Sequence, residues 1–255
     1  MFNNDNPETN GEKKFYNYIK NDIKLIFDVG CRTDTEFLNF NGEVHYFDPV
    51  KEFIDNLSKQ SNNNNKSFFN DFGLGNEKAE KEYYPSVQSF NARINSLPNN
   101  SYEEKLKLKI NTGYNYMKEK DIKHINFLKI DTEGYEFDVI KGFKDYINNI
   151  DIIQFEYGGC YLDNNIKLND VIKYLKNMGF HKFSYLHNNG FKGINELKDY
   201  TIQTDIRHRN GIFSNLDYPE KVKCITDDGI VSDHYNYCNI VCINKNSNLN
   251  YLFNN

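Results

Sequence analysis

Four short apolar runs, each ending at or next to an aspartate, constrain this chain more than anything else in its sequence: LIFDVG (25–30), VHYFDP (44–49), KSFFND (66–71) and NFLKID (126–131). Runs of this length bounded by Gly or Pro read as buried strands. Between them, VKEFIDNLSKQ places Val50, Phe53, Ile54 and Leu57 at helical spacing, and TGYNYMKEK (112–120) reads as a second helix. A short amphipathic piece is expected over Thr35–Phe40, and the third strand is expected to run on through FGLG to Gly75. Further on come a helix over Glu136–Asn149, a strand at DIIQFEY (151–157), and a helix with Val171, Ile172 and Leu175 on one face. Strands at KFSYL (182–186) and CNIVCIN (238–244) complete the series. AEKEYY and EKLKLKI alternate like two more strands around a polar loop. Strand alternating with helix is the pattern of a doubly wound, mostly parallel α/β sheet.

At 255 residues the chain is read as one domain, 1–255, with an N-terminal extension at 1–20. Residues 187–236 are too long for an ordinary connection and are expected to be an insert: a lid, an acceptor platform or an oligomer contact. The formal charge of −5 offers no global positive field for nucleic acid or an anionic membrane. Five cysteines without a CxxC pair are read as free thiols of a reducing compartment. With a polar N-terminus and no apolar window of membrane-spanning length, a cytoplasmic protein is expected. Cys238 and Cys242 share a strand face and are read as core residues.

In such a sheet, ligands bind beyond the carboxyl ends of the strands, near the switch point. Asp28, Asp48 and Asp131 stand at three of those ends, with Asp71 within or just after a fourth. Asp48 follows Asp28 by twenty residues (48 − 28 = 20), the spacing at which an acid takes both ribose hydroxyls. The first turn, DVGCRTDT, has one glycine where a dinucleotide site uses three, so it suits a cationic or zwitterionic group better than a diphosphate.

LIFDVG, VHYFDP, FNDFGLGN, FLKIDTEGYEFDVIKGF and IIQFEY, in that order, resemble the FkbM-type family of class I S-adenosylmethionine-dependent methyltransferases. KIDTEGYEFDVIKG is the most specific part. The resemblance implies a Rossmann-like, seven-stranded sheet with an antiparallel last strand, and S-adenosyl-L-methionine as cofactor. It further implies that Asp28 and Gly30, with Cys31, line the methionine end, that Asp48 with Pro49 holds the ribose, and that Asp71 with Phe72 meets adenine. Asp131 would sit beside the methyl group and the acceptor. Asp34 stands where the family has a second glycine, so the first turn is expected to differ in shape.

O-methylation of a sugar, glycan or other small hydroxylated acceptor is the activity the resemblance implies. Such a reaction needs a base for the hydroxyl proton, for which the candidates are Asp131, Glu133, Glu156, His187 and His234. No metal is assigned. Alternatives are an RNA cap or ribose methyltransferase, or a catalytically silent cofactor-binding scaffold. Two structural roles stay open: Asp131 and Glu133 as caps of the following helix, and the basic cluster Arg207, His208, Arg209 as a solvated loop. A homodimer also stays open.

Overall fold

The computed structural model describes residues 7, 10–61, 66–85, 88–90, 105–157, 166, 168–186, 225–226, 229–230 and 238–253. Seven strands form one sheet: β1 (Leu25–Val29), β2 (Glu43–Phe47), β3 (Lys66–Asn70), β7 (Ile125–Ile130), β8 (Ile150–Tyr157), β9 (Phe180–Tyr185) and β12 (Cys238–Asn244). Their order is β3-β2-β1-β7-β8-β12-β9. All neighbours run parallel except β12, which is antiparallel to both β8 and β9. The order reverses between β1 and β7, so this is the switch point, and Asp28 and Asp131 flank it.

Period-two alternation along each strand sends side chains to two separate cores. On one face, Phe27, Val29, Phe47, Leu128, Ile130 and Phe155 pack with α3 (Gly113–Glu119), α4 (Glu136–Gly142) and α5 (Leu168–Asn177). On the other, Ile26, Val44, Phe127, Ile152 and Val241 meet α1 (Glu12–Ile19) and α2 (Lys51–Gln60). A strand covered on both faces should be apolar throughout. One register row departs from that: Asp28 pairs with Lys129, and Lys129 with Gln154.

The expected third strand is broken. It stops at Asn70 and resumes as β4 (Gly73–Leu74), which leaves the main sheet and joins β5 (Ala79–Tyr83) and β6 (Leu106–Asn111) in a small sheet of order β4-β6-β5. The expected helix over 136–149 is also interrupted, since α4 ends at Gly142 and a 3₁₀ segment runs from Lys144 to Asn149. A β-carbon at Gly142 would stand 1.9 Å from the Gly75 carbonyl oxygen, so α4 lies directly against the small sheet. Between Thr35 and Phe40 the chain makes turns, not a helix. The first turn therefore does not lead directly into a helix, in keeping with a loop unsuited to diphosphate. Of the insert only the paired dipeptides β10 (Ile225–Thr226) and β11 (Gly229–Ile230) are described. Among the described residues no helix is long and apolar enough to cross a membrane.

Candidate active site

Two backbone turns meet at the switch point. Gly30 has φ +83, in the left-handed region, and donates its N–H to the Phe47 carbonyl at 2.8 Å. The Asp131 N–H donates to the Val29 carbonyl at 2.9 Å. A β-carbon on Gly30 would lie 1.8 Å from the Asp131 carbonyl oxygen, so only glycine admits this approach.

After Asp131 the chain reverses through Glu133 (φ +54) and Gly134 (φ +101). Buried Glu136 holds this turn. Its carboxylate accepts the Thr132 N–H at 2.8 Å and the Gly134 N–H at 3.1 and 3.0 Å. Burial pushes the Glu136 carboxyl up to about 7, against the pull of those hydrogen bonds. Sequence reading took Glu136 for the first residue of a helix and missed this task. The helix-cap role for Asp131 and Glu133 is not what the structure shows: Asp131 pairs with Lys129 at 3.7 Å, and Glu133 pairs with Arg32 at 2.9 Å.

Arg32 ties three strand ends together. Its guanidinium meets Glu133 after β7, and its backbone N–H, on a residue of φ +51 just past β1, donates at 3.1 Å to Asp48 after β2. The other Asp48 oxygen accepts the Val50 N–H at 2.9 Å. Burial pushes Asp48 up to about 6, opposed by these two hydrogen bonds and the Arg32 charge. Asp48 and Pro49 line a small cavity together with Gly30, Gly73, Leu74 and Asp131.

On the opposite face a larger, open cleft of about 820 Å³ lies between α1 and the sheet edge. Asp28, Gly30, Cys31, Asp34, Lys129 and Asp131 are among its walls. Asp28 is buried and accepts the Thr35 hydroxyl at 2.7 Å through one oxygen, while Oδ1 has no hydrogen-bond partner among the described residues. Burial pushes Asp28 up to about 6 even with the Lys129 charge nearby. Cys31 is a buried free thiol pushed well up by the same cause. Gly30, Arg32 and Asp131 line both spaces, so the cavity and the cleft meet at the switch point.

Not every candidate reaches these spaces. Asp71 is exposed and lines neither, because the chain leaves β3 before it. Phe72 packs its ring on Phe47 (5.9 Å) and Tyr116 (6.0 Å) within the core. Gly73 and Leu74 line the cavity where those two were expected. His187 and His234 lie outside the described residues, as do Arg207, His208 and Arg209. Glu156 does join the site. One carboxylate oxygen each of Asp131, Glu133 and Glu156 lies within 4.8 Å of the others, a set of hard oxygen donors that a divalent cation could share. Burial and the neighbouring Asp131, Glu133 and Glu136 charges push the Glu156 carboxyl well up.

A doubly wound sheet of this order, with an antiparallel strand inserted near one edge and acids at its switch point, defines a Rossmann-like fold of the methyltransferase type. Residues 28–182 match the family model described as Methyltransferase FkbM domain, and the chain belongs to that family. No curated protein and no solved structure matches it.

Proposed function

We propose that this methyltransferase uses S-adenosyl-L-methionine and delivers the methyl group to a hydroxyl of a sugar, glycan or other small hydroxylated acceptor. The observation that carries this reading is the meeting of two differently built spaces at Asp131. The residues present fit such a cofactor. Asp48 offers a buried carboxylate beside the cavity, where ribose hydroxyls can donate to the lone pairs its backbone contacts leave free. The orphaned Oδ1 of Asp28 offers an acceptor for an ammonium N–H.

When bound, the cofactor supplies a methyl group on a positively charged sulfur. The protein's task is then in-line positioning of the acceptor oxygen and removal of its proton. Glu156 is the base we assign among the described candidates, because one of its carboxylate oxygens lies within 4.8 Å of those of Asp131 and Glu133. Asp131 stands between the two spaces and orients what meets there. The cleft is lined by acids as well as lysines, which opposes an RNA acceptor. Buried free thiols at Cys31 and Cys242 support a reducing, cytoplasmic setting.

Calorimetry with S-adenosylmethionine tests the cofactor, followed by transfer of a labelled methyl group to a panel of sugars. A silent scaffold would give no transfer to any acceptor. Absence of binding to a folded chain would sink the reading altogether.

A further inference from the structure

The small sheet β4-β6-β5 reaches the switch point through the chain that leaves β5. That strand ends at Tyr83, and a tight return follows in which Tyr84 and Ser89 pair as an antiparallel bridge. The Tyr84 N–H donates to the Ser89 carbonyl at 2.9 Å, and Gln88 takes the left-handed conformation (φ +52) within the return. Phe90 packs its ring on Tyr83 (5.3 Å) and on Tyr135 (5.5 Å), the residue that precedes α4. The return is thus fastened to its own sheet on one side and to the base of α4 on the other. Between those two anchors it carries Ser89, which is buried.

The Ser89 hydroxyl donates to the Glu133 carbonyl at 2.9 Å, with the Thr132 carbonyl further off at 3.5 Å. Glu133 is the residue of this turn that has a β-carbon and a positive φ, +54, a conformation held only where the surroundings fix it. Its carbonyl and the Gly134 N–H belong to one peptide group, and that N–H donates to the Glu136 carboxylate. Both ends of the peptide are therefore claimed, the carbonyl by Ser89 and the N–H by Glu136. Glu136 belongs to the same turn, whereas Ser89 arrives from a different sheet. With the carbonyl released, the peptide can flip and relieve Glu133, and the turn that carries Asp131 and Glu133 loses its shape.

We propose that Ser89 is a positioning residue for methyl transfer, whose hydroxyl locks the Glu133–Gly134 peptide and so holds the Asp131 and Glu133 carboxylates within 4.8 Å of Glu156. The small sheet is the arm that delivers it. Its effect on turnover rests on the proposed reaction; the locking of the peptide does not.

Ser89→Ala removes the donor, and Ser89→Cys keeps the volume with only a weak one. Both should lower kcat for transfer to the acceptor found in the sugar panel by about ten- to a hundredfold, the range for a small displacement of positioned groups, with KM for S-adenosylmethionine little changed. A packing role alone would spare the cysteine variant. In an Asp131→Asn background most of the Ser89→Ala loss should disappear, since the lock acts through that turn, and full additivity of the two overturns the proposal. Hydrogen exchange read by mass spectrometry supplies a measurement free of any acceptor. In folded Ser89→Ala the amides of the turn after β7 should exchange about tenfold faster, while those of β3 keep their wild-type rates. Unchanged exchange in the turn overturns the proposal, as does faster exchange with wild-type turnover, which would make Ser89 a structural residue only. If the wild type transfers methyl to no acceptor, the proposed reaction falls by itself, and the exchange rates alone decide whether Ser89 locks the turn.

Discussion

Asp28, in the last two residues of β1, and Asp48, just past the end of β2, are both pushed up to about 6 by burial, yet the two regions around them are finished differently. Each Asp48 oxygen accepts a backbone N–H, from Arg32 and from Val50, so the cavity side is held by the chain's own main chain. Asp28 has one hydroxyl partner, and its other oxygen is buried with no partner among the described residues. One side is complete when empty. The other is completed by what it binds, and the cost of that incompleteness is borne by the empty fold.

The contact that joins the two regions gives the largest expected effect. Gly30→Ala forces a β-carbon into the Asp131 carbonyl and demands a left-handed alanine, which should cost about 3 to 5 kcal/mol in urea unfolding and disable both sides at once. A loss under about 1 kcal/mol would show that the two turns part easily. Asp131→Asn should lower methyl transfer by about two orders of magnitude while the melting temperature barely moves. Wild-type turnover on an authentic acceptor would leave the KIDTEG turn a structural element only.

The two aspartates themselves should answer oppositely. Asp48→Ala should weaken S-adenosylmethionine by about 1.5 to 3 kcal/mol in calorimetry. Unchanged affinity in a folded variant would remove Asp48 from the site. Asp28→Asn should instead stabilise the empty protein at pH 8 by about 2 kcal/mol. The sign follows from the raised pKa. Between about pH 4 and pH 6 the folded state binds more protons at Asp28 than the unfolded chain, so its contribution falls as pH rises, and the asparagine variant escapes that fall. At pH 3 the gain should vanish. A destabilised Asp28→Asn at pH 8 would mean that the Thr35 hydroxyl bond outweighs the burial of the charge. Smallest of all, Arg32→Gly loses a half-exposed ion pair but relieves a left-handed backbone, and the two should cancel to within about 0.5 kcal/mol.

The main sheet was legible because its strands are short, apolar and punctuated, and the acids at their ends follow from where such strands stop. Asp71 shows where that reasoning runs out. Its place within or just after an apolar run resembled that of the other three acids, but the chain breaks away after Asn70 to feed β4 into a second sheet, a pairing set by the distant strand β6. Glu136 was hidden because a glutamate opening a helix is ordinary, and only the fold brings the Thr132 and Gly134 N–H groups onto it. Residues 1–20 were read as an extension, although α1 packs Phe15 and Ile19 into the core and carries Glu12 to the cleft. A signal was present nonetheless: a lysine inside the apolar run INFLKI is out of place in a strand covered on both faces, and it points to partners of opposite charge elsewhere.

The close approach of Gly30 to Asp131 also bears on how the molecule can move. Because the Asp131 N–H holds the Val29 carbonyl and its own carbonyl fills the space a side chain would need, the two loops form a single rigid keystone. Neither can swing aside to admit a ligand without carrying the other with it. Whatever lies on the keystone's two sides is therefore held in line by the same contact.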